Sequence, residues 1–217
     1  VRITSNSKLT GLSGFQSLNS VGGILEVRAN AELTNVDDFQ SLSSVGGDLA
    51  ITNNGKLENV DGFQNLSTAG NIRIESNPEL STIAGFQNLP ALDGQLFITN
   101  NAKLMSIAGF ENVESAESFI ILDNNAELIT VTGFQNLVST GGALRITSNS
   151  KLTDLSGFQN LNSVGFILEI RANAELTNVD DFENLSSVGG DLVITDNAKL
   201  ENVDGFQNLS TAGNIRI

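Results

Sequence analysis

Four residue types are missing from this chain of 217 residues: cysteine, histidine, tryptophan and tyrosine. Without cysteine there are no disulfides and no thiolate ligands, and without histidine there are no imidazole ligands for a metal. The same absences exclude the Ser-His-Asp and Cys-His catalytic arrangements. Because these absences exclude most enzyme classes, we predict that the chain is not an enzyme and has no cofactor, with Ca²⁺ as the one exception considered below.

Basic residues are scarce, with 11 Lys and Arg against 25 Asp and Glu and a net charge of -14. This charge repels a phosphate backbone and an anionic membrane surface, and no apolar run reaches the length of a membrane span. We expect neither nucleic-acid binding nor membrane insertion. The sequence starts with VRI and ends with IRI, both inside a repeat, and this predicts a segment of a longer protein.

What the sequence does contain is a repeat of 24 residues, shortened to 23 in two units. Each unit reads roughly LxIxxNxxLxxVxGFxxLxxVGG, with Asn at position 6, Leu at position 9 and Phe at position 15 in every unit. The units are called rungs 1 to 9, and they begin at Val1, Leu25, Leu49, Ile72, Leu96, Ile120, Leu144, Leu168 and Leu192.

A longer period lies above the short one. Residues 144–217 repeat residues 1–74 with ten differences, at an offset of 143 residues. We interpret residues 1–217 as one continuous domain, in which 1–143 form a six-rung module and 144–217 form part of a second copy.

The pattern within a rung predicts short strands. Leu-x-Ile alternation at its start places both apolar side chains on one face of a strand, whereas the later apolar residues recur at every third position and do not form a helical stripe. A single rung buries too little apolar surface to offset the ordering of its residues, so rungs must stack. The predicted fold is all-β, a parallel β-solenoid about 43 Å long at roughly 4.8 Å per rung.

The asparagine row needs its own explanation, because a buried amide without partners is costly. Stacked inward, each asparagine can bond backbone groups that are freed where the strand ends, and we predict such a structural ladder. Its members are Asn6, Asn30, Asn54, Asn77, Asn101, Asn125, Asn149, Asn173 and Asn197. The phenylalanines at position 15 are predicted to stack as core.

The whole pattern, complete in LEVRANAELTNVDDFQSLSSVGGDL (25–49), resembles the leucine-rich repeat class and, within it, the receptor L-domain repeats. The likeness covers the entire chain. It implies a right-handed β-solenoid of the kind found in large secreted or cell-surface proteins, bacterial ones among them. It also implies an extracellular, surface-displayed and non-enzymatic role, and it assigns no functional residues because the shared residues are core.

Position 8 alternates between lysine and glutamate in all nine rungs, from Lys8 and Glu32 to Lys199. Adjacent rungs would then set opposite charges about 5 Å apart, with each lysine between two glutamates. A misregistered stack would place like charges together. We therefore interpret this row as a control on register rather than as a ligand site.

Acidic residues cluster in neighbouring turns. The first cluster is Asp37, Asp38, Glu58 and Asp61, and the second is Asp180, Asp181, Glu201 and Asp204. Carboxylate oxygens are Ca²⁺ ligands, so one hypothesis is a weak calcium site in each module copy. The alternative is a solvated acidic face, because the spacing is neither that of an EF-hand loop nor that of the GGxGxD calcium repeat.

Two further surface features are candidates for contacts. Phe97 and Ile121 occupy position 2 of adjacent rungs and are predicted to form a small apolar contact patch. Threonines recur at position 4 in alternate rungs, a pattern similar to ice-binding faces, although charged residues interrupt it. These threonines are Thr4, Thr52, Thr99, Thr147 and Thr195.

These observations favour a structural or adhesive repeat segment of a long extracellular surface protein that is secreted or displayed at the cell surface. One form of this hypothesis places the segment in an extracellular fibre or attachment appendage. The expected partner is protein: another copy of the chain, in a homo-oligomer or fibre, or a cell-surface target. The alternatives are a receptor-like module that binds protein or glycan, and an ice-binding protein.

Overall fold

The computed structural model describes all 217 residues and has almost no helix. Each of the nine rungs contributes one strand to a ten-stranded parallel sheet, called the long sheet, and the residues after rung 9 contribute the tenth strand. Its strands are Arg2–Thr4, Leu25–Arg28, Leu49–Thr52, Ile72–Glu75, Leu96–Thr99, Ile120–Asp123, Leu144–Thr147, Leu168–Arg171, Leu192–Thr195 and Ile215–Arg216. The predicted parallel β-solenoid of about nine turns is confirmed.

Equivalent positions of successive rungs lie opposite each other in this sheet. Leu25 pairs with Leu49, for example, and Ile120 pairs with Leu144. The register also holds across the shortened rungs, where Leu49 pairs with Ile72. The one-residue deletion is therefore absorbed outside the strand, and each row of the repeat remains a row in space.

Two-residue strands form a second wall near the end of seven of the nine rungs, and rungs 3 and 9 contribute only isolated bridges there, at Thr68 and Thr211. Five of these strands make one sheet, Ala91–Leu92, Ser115–Ala116, Ser139–Thr140, Ser163–Val164 and Ser187–Val188, and two more, Ser20–Val21 and Ser44–Val45, make another. All pair in parallel with equivalent positions, as in the long sheet.

The middle of the rung takes two forms. In rungs 4 to 6 it is a three-stranded parallel sheet, Thr82–Ile83, Ser106–Ile107 and Thr130–Val131. In the other rungs it is a short 3₁₀ helix, at Ser13–Phe15, Asp37–Phe39, Asp61–Phe63, Ser156–Phe158, Asp180–Phe182 and Asp204–Phe206.

The core lies between these walls as one cluster of 53 buried apolar residues that runs from Ile3 to Ile194. Apolar side chains of the first and last rungs, such as Phe15 and Phe206, are only partly buried because they have a neighbouring rung on one side. A core shared between rungs explains why a single rung could not fold alone.

A left-handed residue ends the long-sheet strand in every rung. Position 5 has φ between 54° and 60° in all nine rungs, and none of these residues is glycine. Asn, Asp and Ser tolerate this conformation better than alanine does, so Ala29 and Ala172 are its most costly occupants. This turn directs the following asparagine into the core.

Candidate functional site

The asparagine ladder predicted from the sequence is present. The Oδ1 atom of Asn54 accepts the backbone N–H of Asn30 at 3.1 Å, and its Nδ2 donates to the carbonyl of Val27 at 3.0 Å. The same pair of bonds recurs along the row to Asn197. Since each amide reaches back to the preceding rung with both of its polar atoms, this row serves the stack and is not a binding site.

The phenylalanines at position 15 form a continuous stack beside this ladder. Centroids of neighbouring rings lie 4.9 to 5.8 Å apart, and most of the rings are nearly parallel. The rings of rungs 2 to 8 are fully buried. Their role is packing, as the sequence predicts.

A second row of asparagine contacts was missed by sequence reasoning. At position 17, the Nδ2 of Asn65 donates to the carbonyl of Gln40 in the preceding rung at 2.7 Å. Asn112, Asn136, Asn160, Asn184 and Asn208 do the same. The signal was available, since asparagine occupies position 17 in every rung except the first two.

The charged row at position 8 forms ion pairs that all point in one direction along the stack. Each lysine from Lys56 onward bonds the glutamate of the preceding rung, as Lys56 bonds Glu32 at 2.6 Å and Lys103 bonds Glu79 at 2.5 Å. No ion pair joins a lysine to the glutamate of the following rung. The predicted alternation is present along the stack, and its ion pairs form a series of separate pairs in which each lysine from Lys56 onward is bonded on one side only.

Arginines of the long sheet form ion pairs of two kinds. Arg2 and Arg145 each approach a glutamate of the next rung at 3.4 Å. Arg73 instead pairs with Glu75 of its own strand at 3.8 Å, and its guanidinium lies 4.4 Å from the centroid of the Phe97 ring. These exposed pairs contribute little stability individually.

The predicted contact patch is smaller than its sequence suggests. Phe97 and Ile121 are register neighbours on the long sheet, as predicted. Both are half-buried, and Arg73 covers one side of the Phe97 ring. Little apolar surface is left there for a partner.

The acidic clusters do not assemble as metal sites. No group of three or more Asp and Glu side chains is arranged to hold a metal ion. Asp38 instead accepts the backbone N–H of Leu12 and the Nε2–H of Gln16 in the preceding rung, both at 3.0 Å. The calcium grouping predicted for Asp37, Asp38, Glu58 and Asp61, and for Asp180, Asp181, Glu201 and Asp204, therefore lacks the required geometry.

Burial and neighbouring carboxylates raise the pKa of two of these residues, Asp37 and Asp181. Partial burial, followed by repulsion from Asp61 and Asp38, raises the pKa of Asp37 above its ordinary value. The pKa of Asp181 is also raised, by burial first and then by Asp154, against the lowering effect of its hydrogen bonds to Gln159 and Leu155. Both groups are easier to protonate in the folded chain.

The threonine row does not form an exposed flat array. Thr52 and Thr99 are buried, with less than a tenth of their surface exposed. Thr147 is engaged by Asp123, to which its Oγ1 donates a hydrogen bond. The arrangement that suggested ice binding is thus interrupted both by burial and by charge.

Three exposed apolar side chains away from the chain ends were missed as surface features, Met105, Ile129 and Val138, and Phe166 is exposed as well. They belong to rungs 5 to 7. Met105 and Ile129 occupy position 10 of adjacent rungs, and the backbone N–H of Ile129 donates to the carbonyl of Met105 at 2.9 Å. The available signal was the replacement of Thr, Ser or Glu, the residues at position 10 elsewhere, by two large apolar residues.

Comparison with protein-family models gives no match, and comparisons with curated proteins and with solved structures give none either. The structure has no long apolar helix of the kind that spans a bilayer.

Proposed function

We propose that this chain is a structural and adhesive segment of a long extracellular surface protein, built from receptor L-domain-like repeats. The observation that carries the proposal is that two nearly identical sets of three rungs are parts of one continuous solenoid. Rungs 1 to 3 and rungs 7 to 9 differ at only ten positions, and one uninterrupted core joins them. The same lateral surface is thus presented twice at a fixed separation of about 29 Å, six rungs at roughly 4.8 Å each.

Rigidity supports this role. Backbone ladders, the asparagine ladder and the phenylalanine stack all run along the rod axis through every rung. A rod held in this way keeps its repeated surfaces in register, so weak contacts at successive modules add as avidity.

The number of rungs in the module fits lateral repetition. Six is even, so the alternation of lysine and glutamate at position 8 continues without a break from rung 6 into rung 7, where Glu127 is followed by Lys151. An odd number would set two like charges on adjacent rungs at each junction, at a cost in stability.

Electron microscopy of the native protein tests the proposal. We expect long rods of uniform width, gathered laterally into fibres or attached to a cell surface. Short, isolated rods in the native preparation would contradict it.

A second candidate is a receptor-like module that binds protein or glycan. It is favoured by the confinement of the internal exposed apolar residues, Met105, Ile129, Val138 and Phe166, to rungs 5 to 7. A glycan or protein array probed with the chain separates the two candidates, because one saturable, specific ligand favours the receptor-like function.

A further inference from the structure

Rungs 5 and 6 carry exposed apolar side chains close to the charged row at position 8. Met105 is 48% exposed and Ile129 is 42% exposed. Ala102 and Ala126, at position 7 of the same rungs, are exposed beside them. These four residues are called the turn face. The small side chains of Ala102 and Ala126 leave room for the backbone of a second chain to approach beside Met105 and Ile129.

The turn face shares its surface with the charged row. Ile129 lines one shallow depression together with Lys151 and Glu175 of the following rungs. Position 8 in rungs 4 to 7 reads Glu79, Lys103, Glu127 and Lys151. Any partner that covers Met105 and Ile129 therefore also meets this alternating row.

An alternating row is complementary to itself under one particular symmetry. A two-fold axis perpendicular to the rod and midway between rungs 5 and 6 exchanges rung 5 with rung 6, and rung 4 with rung 7. Lys103 then faces Glu127 of a second copy, and Glu79 faces Lys151. The same operation sets Met105 against Ile129, so both the apolar and the charged residues are matched.

The same test excludes the other apolar pair. On the long sheet, Phe97 and Ile121 are flanked by Arg73 and Arg145, which are their register neighbours. The two-fold exchange of rungs 4 and 7 would set Arg73 against Arg145 of the second copy, which is a repulsive arrangement. Charge complementarity therefore favours the turn face over the long sheet.

We infer that the turn face is a homodimer interface, in which a second copy of the chain packs antiparallel about this two-fold axis. The inference rests on the proposed self-association and specifies its contact. Because the contact is small, the dimer is weak in a single chain and gains strength when modules repeat along a rod.

Sedimentation velocity over a concentration series tests the interface at about 0.15 M salt, where the net negative charge is screened beyond roughly 8 Å. We expect reversible dimerisation that Ile129→Lys weakens by about tenfold or more. The matched control is Val138→Lys, which changes an equally exposed apolar residue outside the turn face and should leave dimerisation intact. A chain that stays monomeric, or a dimer indifferent to Ile129→Lys, overturns the inference.

Disulfide trapping tests the symmetry, since the natural chain has no cysteine. Chains carrying Met105→Cys and chains carrying Ile129→Cys are mixed and oxidised. The two-fold axis brings residue 105 of one copy opposite residue 129 of the other, so the mixed disulfide should exceed the roughly half share that random pairing gives. A preference for 105–105 or 129–129 disulfides contradicts the proposed register.

Charge reversal gives an independent check. Lys103→Glu sets like charges across the axis and should weaken the dimer, and the double variant Lys103→Glu with Glu127→Lys should restore it. Failure to restore overturns the pairing across the axis. Failure of all three tests removes this interface but leaves long rods visible by microscopy, so the inference and the proposed function fail separately.

Discussion

Rungs 1 to 3 and 7 to 9 differ from rungs 4 to 6 in the local structure of positions 11 to 15, which end at the stacked phenylalanine. The outer rungs use 3₁₀ helices and the central rungs use strands, although all share Gly or Asp at position 14 and Phe at position 15. The difference correlates with the residue at position 11. It is Thr or Ser in the central rungs, and Asn, Asp or Gly in the outer ones.

The side chain at position 11 contributes to the difference between the two forms. In rungs 2, 7, 8 and 9 its Oδ1 accepts the backbone N–H two residues later, as Asp154 accepts that of Ser156 at 2.8 Å and Asn178 that of Asp180 at 3.2 Å. This bond holds a turn and competes with strand pairing. Threonine and serine do not make it here, and threonine favours a strand. Position 11 does not decide the local structure alone, because Gly11 and Asn59 precede helices without this bond and Asp154 makes the bond while also bridging to Thr130.

Rung 3 lies at the boundary between the two forms. Asn59 occupies position 11, forms an isolated bridge with Thr82 of rung 4, and has an Oδ1 that is buried without a hydrogen-bond partner. Rung 3 therefore has the asparagine found at position 11 of the outer rungs, but this residue pairs with the strand of rung 4 as residues of the central rungs do. The helix at Asp61–Phe63 still forms.

The largest loss of stability is expected from substitutions of the glycine at position 14. A Cβ built on Gly62 would lie 1.9 Å from the carbonyl oxygen of Val36, and one built on Gly133 of rung 6 would lie 2.8 Å from its nearest backbone atom. The spacing varies within each region, since it is 2.1 Å for Gly85 of rung 4 and 2.8 Å for Gly157 of rung 7. We expect Gly62→Ala to lower the free energy of unfolding by about 3 kcal/mol and Gly133→Ala by less. Thermal denaturation measures both. Gly14→Ala is the matched control, because nothing lies within 4 Å of its Cβ, and a loss there equal to that at Gly62 would contradict the steric explanation.

The next effect concerns the cap at position 11. Asn178→Ala removes the acceptor for the N–H of Asp180 and should cost about 1 kcal/mol, as loss of a helix cap does. Asn59→Ala removes an unpaired buried oxygen and should be neutral or stabilising. Urea denaturation of the two variants gives the comparison. Equal losses would show that position 11 does not select the local structure through this bond.

A smaller effect is expected from the charged row, which runs through both regions. Changing Lys56 and Lys103 to Glu replaces two ion pairs by repulsion and should lower the melting temperature most at low salt. The expected loss in free energy of unfolding is roughly 0.2 to 1 kcal/mol for each pair. Lys8→Gln is the control, since Lys8 forms no ion pair in the structure and glutamine adds no second carboxylate beside Glu32. A loss that does not depend on salt would rule out register control by charge.

The smallest effect is a pH dependence confined to the outer rungs, which carry Asp37 at position 13 where the central rungs carry Ala or Thr. Because the folded pKa of Asp37 is raised above 3.8, its ionisation opposes folding, and its unfavourable contribution develops as pH rises through the window above 3.8. Asp37→Asn should therefore raise the melting temperature slightly at pH 7 and not at about pH 3. The opposite order would contradict the direction of the shift.

Much of the fold was predictable because the repeat itself carries it. Positions 6, 9 and 15 do not vary, and stacking equivalent residues at one spacing leaves them a single set of neighbours. Asn54 could bond only the adjacent rungs, and Phe63 could contact only Phe39 and Phe86. The surface was less predictable, because an exposed side chain chooses among several partners of similar energy.

The sequence by itself determined the period, the rows and the stacking of identical residues, because a parallel solenoid converts repeat position directly into spatial position. Only the tertiary structure decided the direction of the contacts between rungs. Lys103 reaches back to Glu79 rather than forward to Glu127, and Asp38 reaches back to Leu12 rather than toward a metal. The physical reason is that the rungs before and after a given residue are equally far from it along the chain. Only the direction in which its side chain points in the folded structure determines which of the two it contacts.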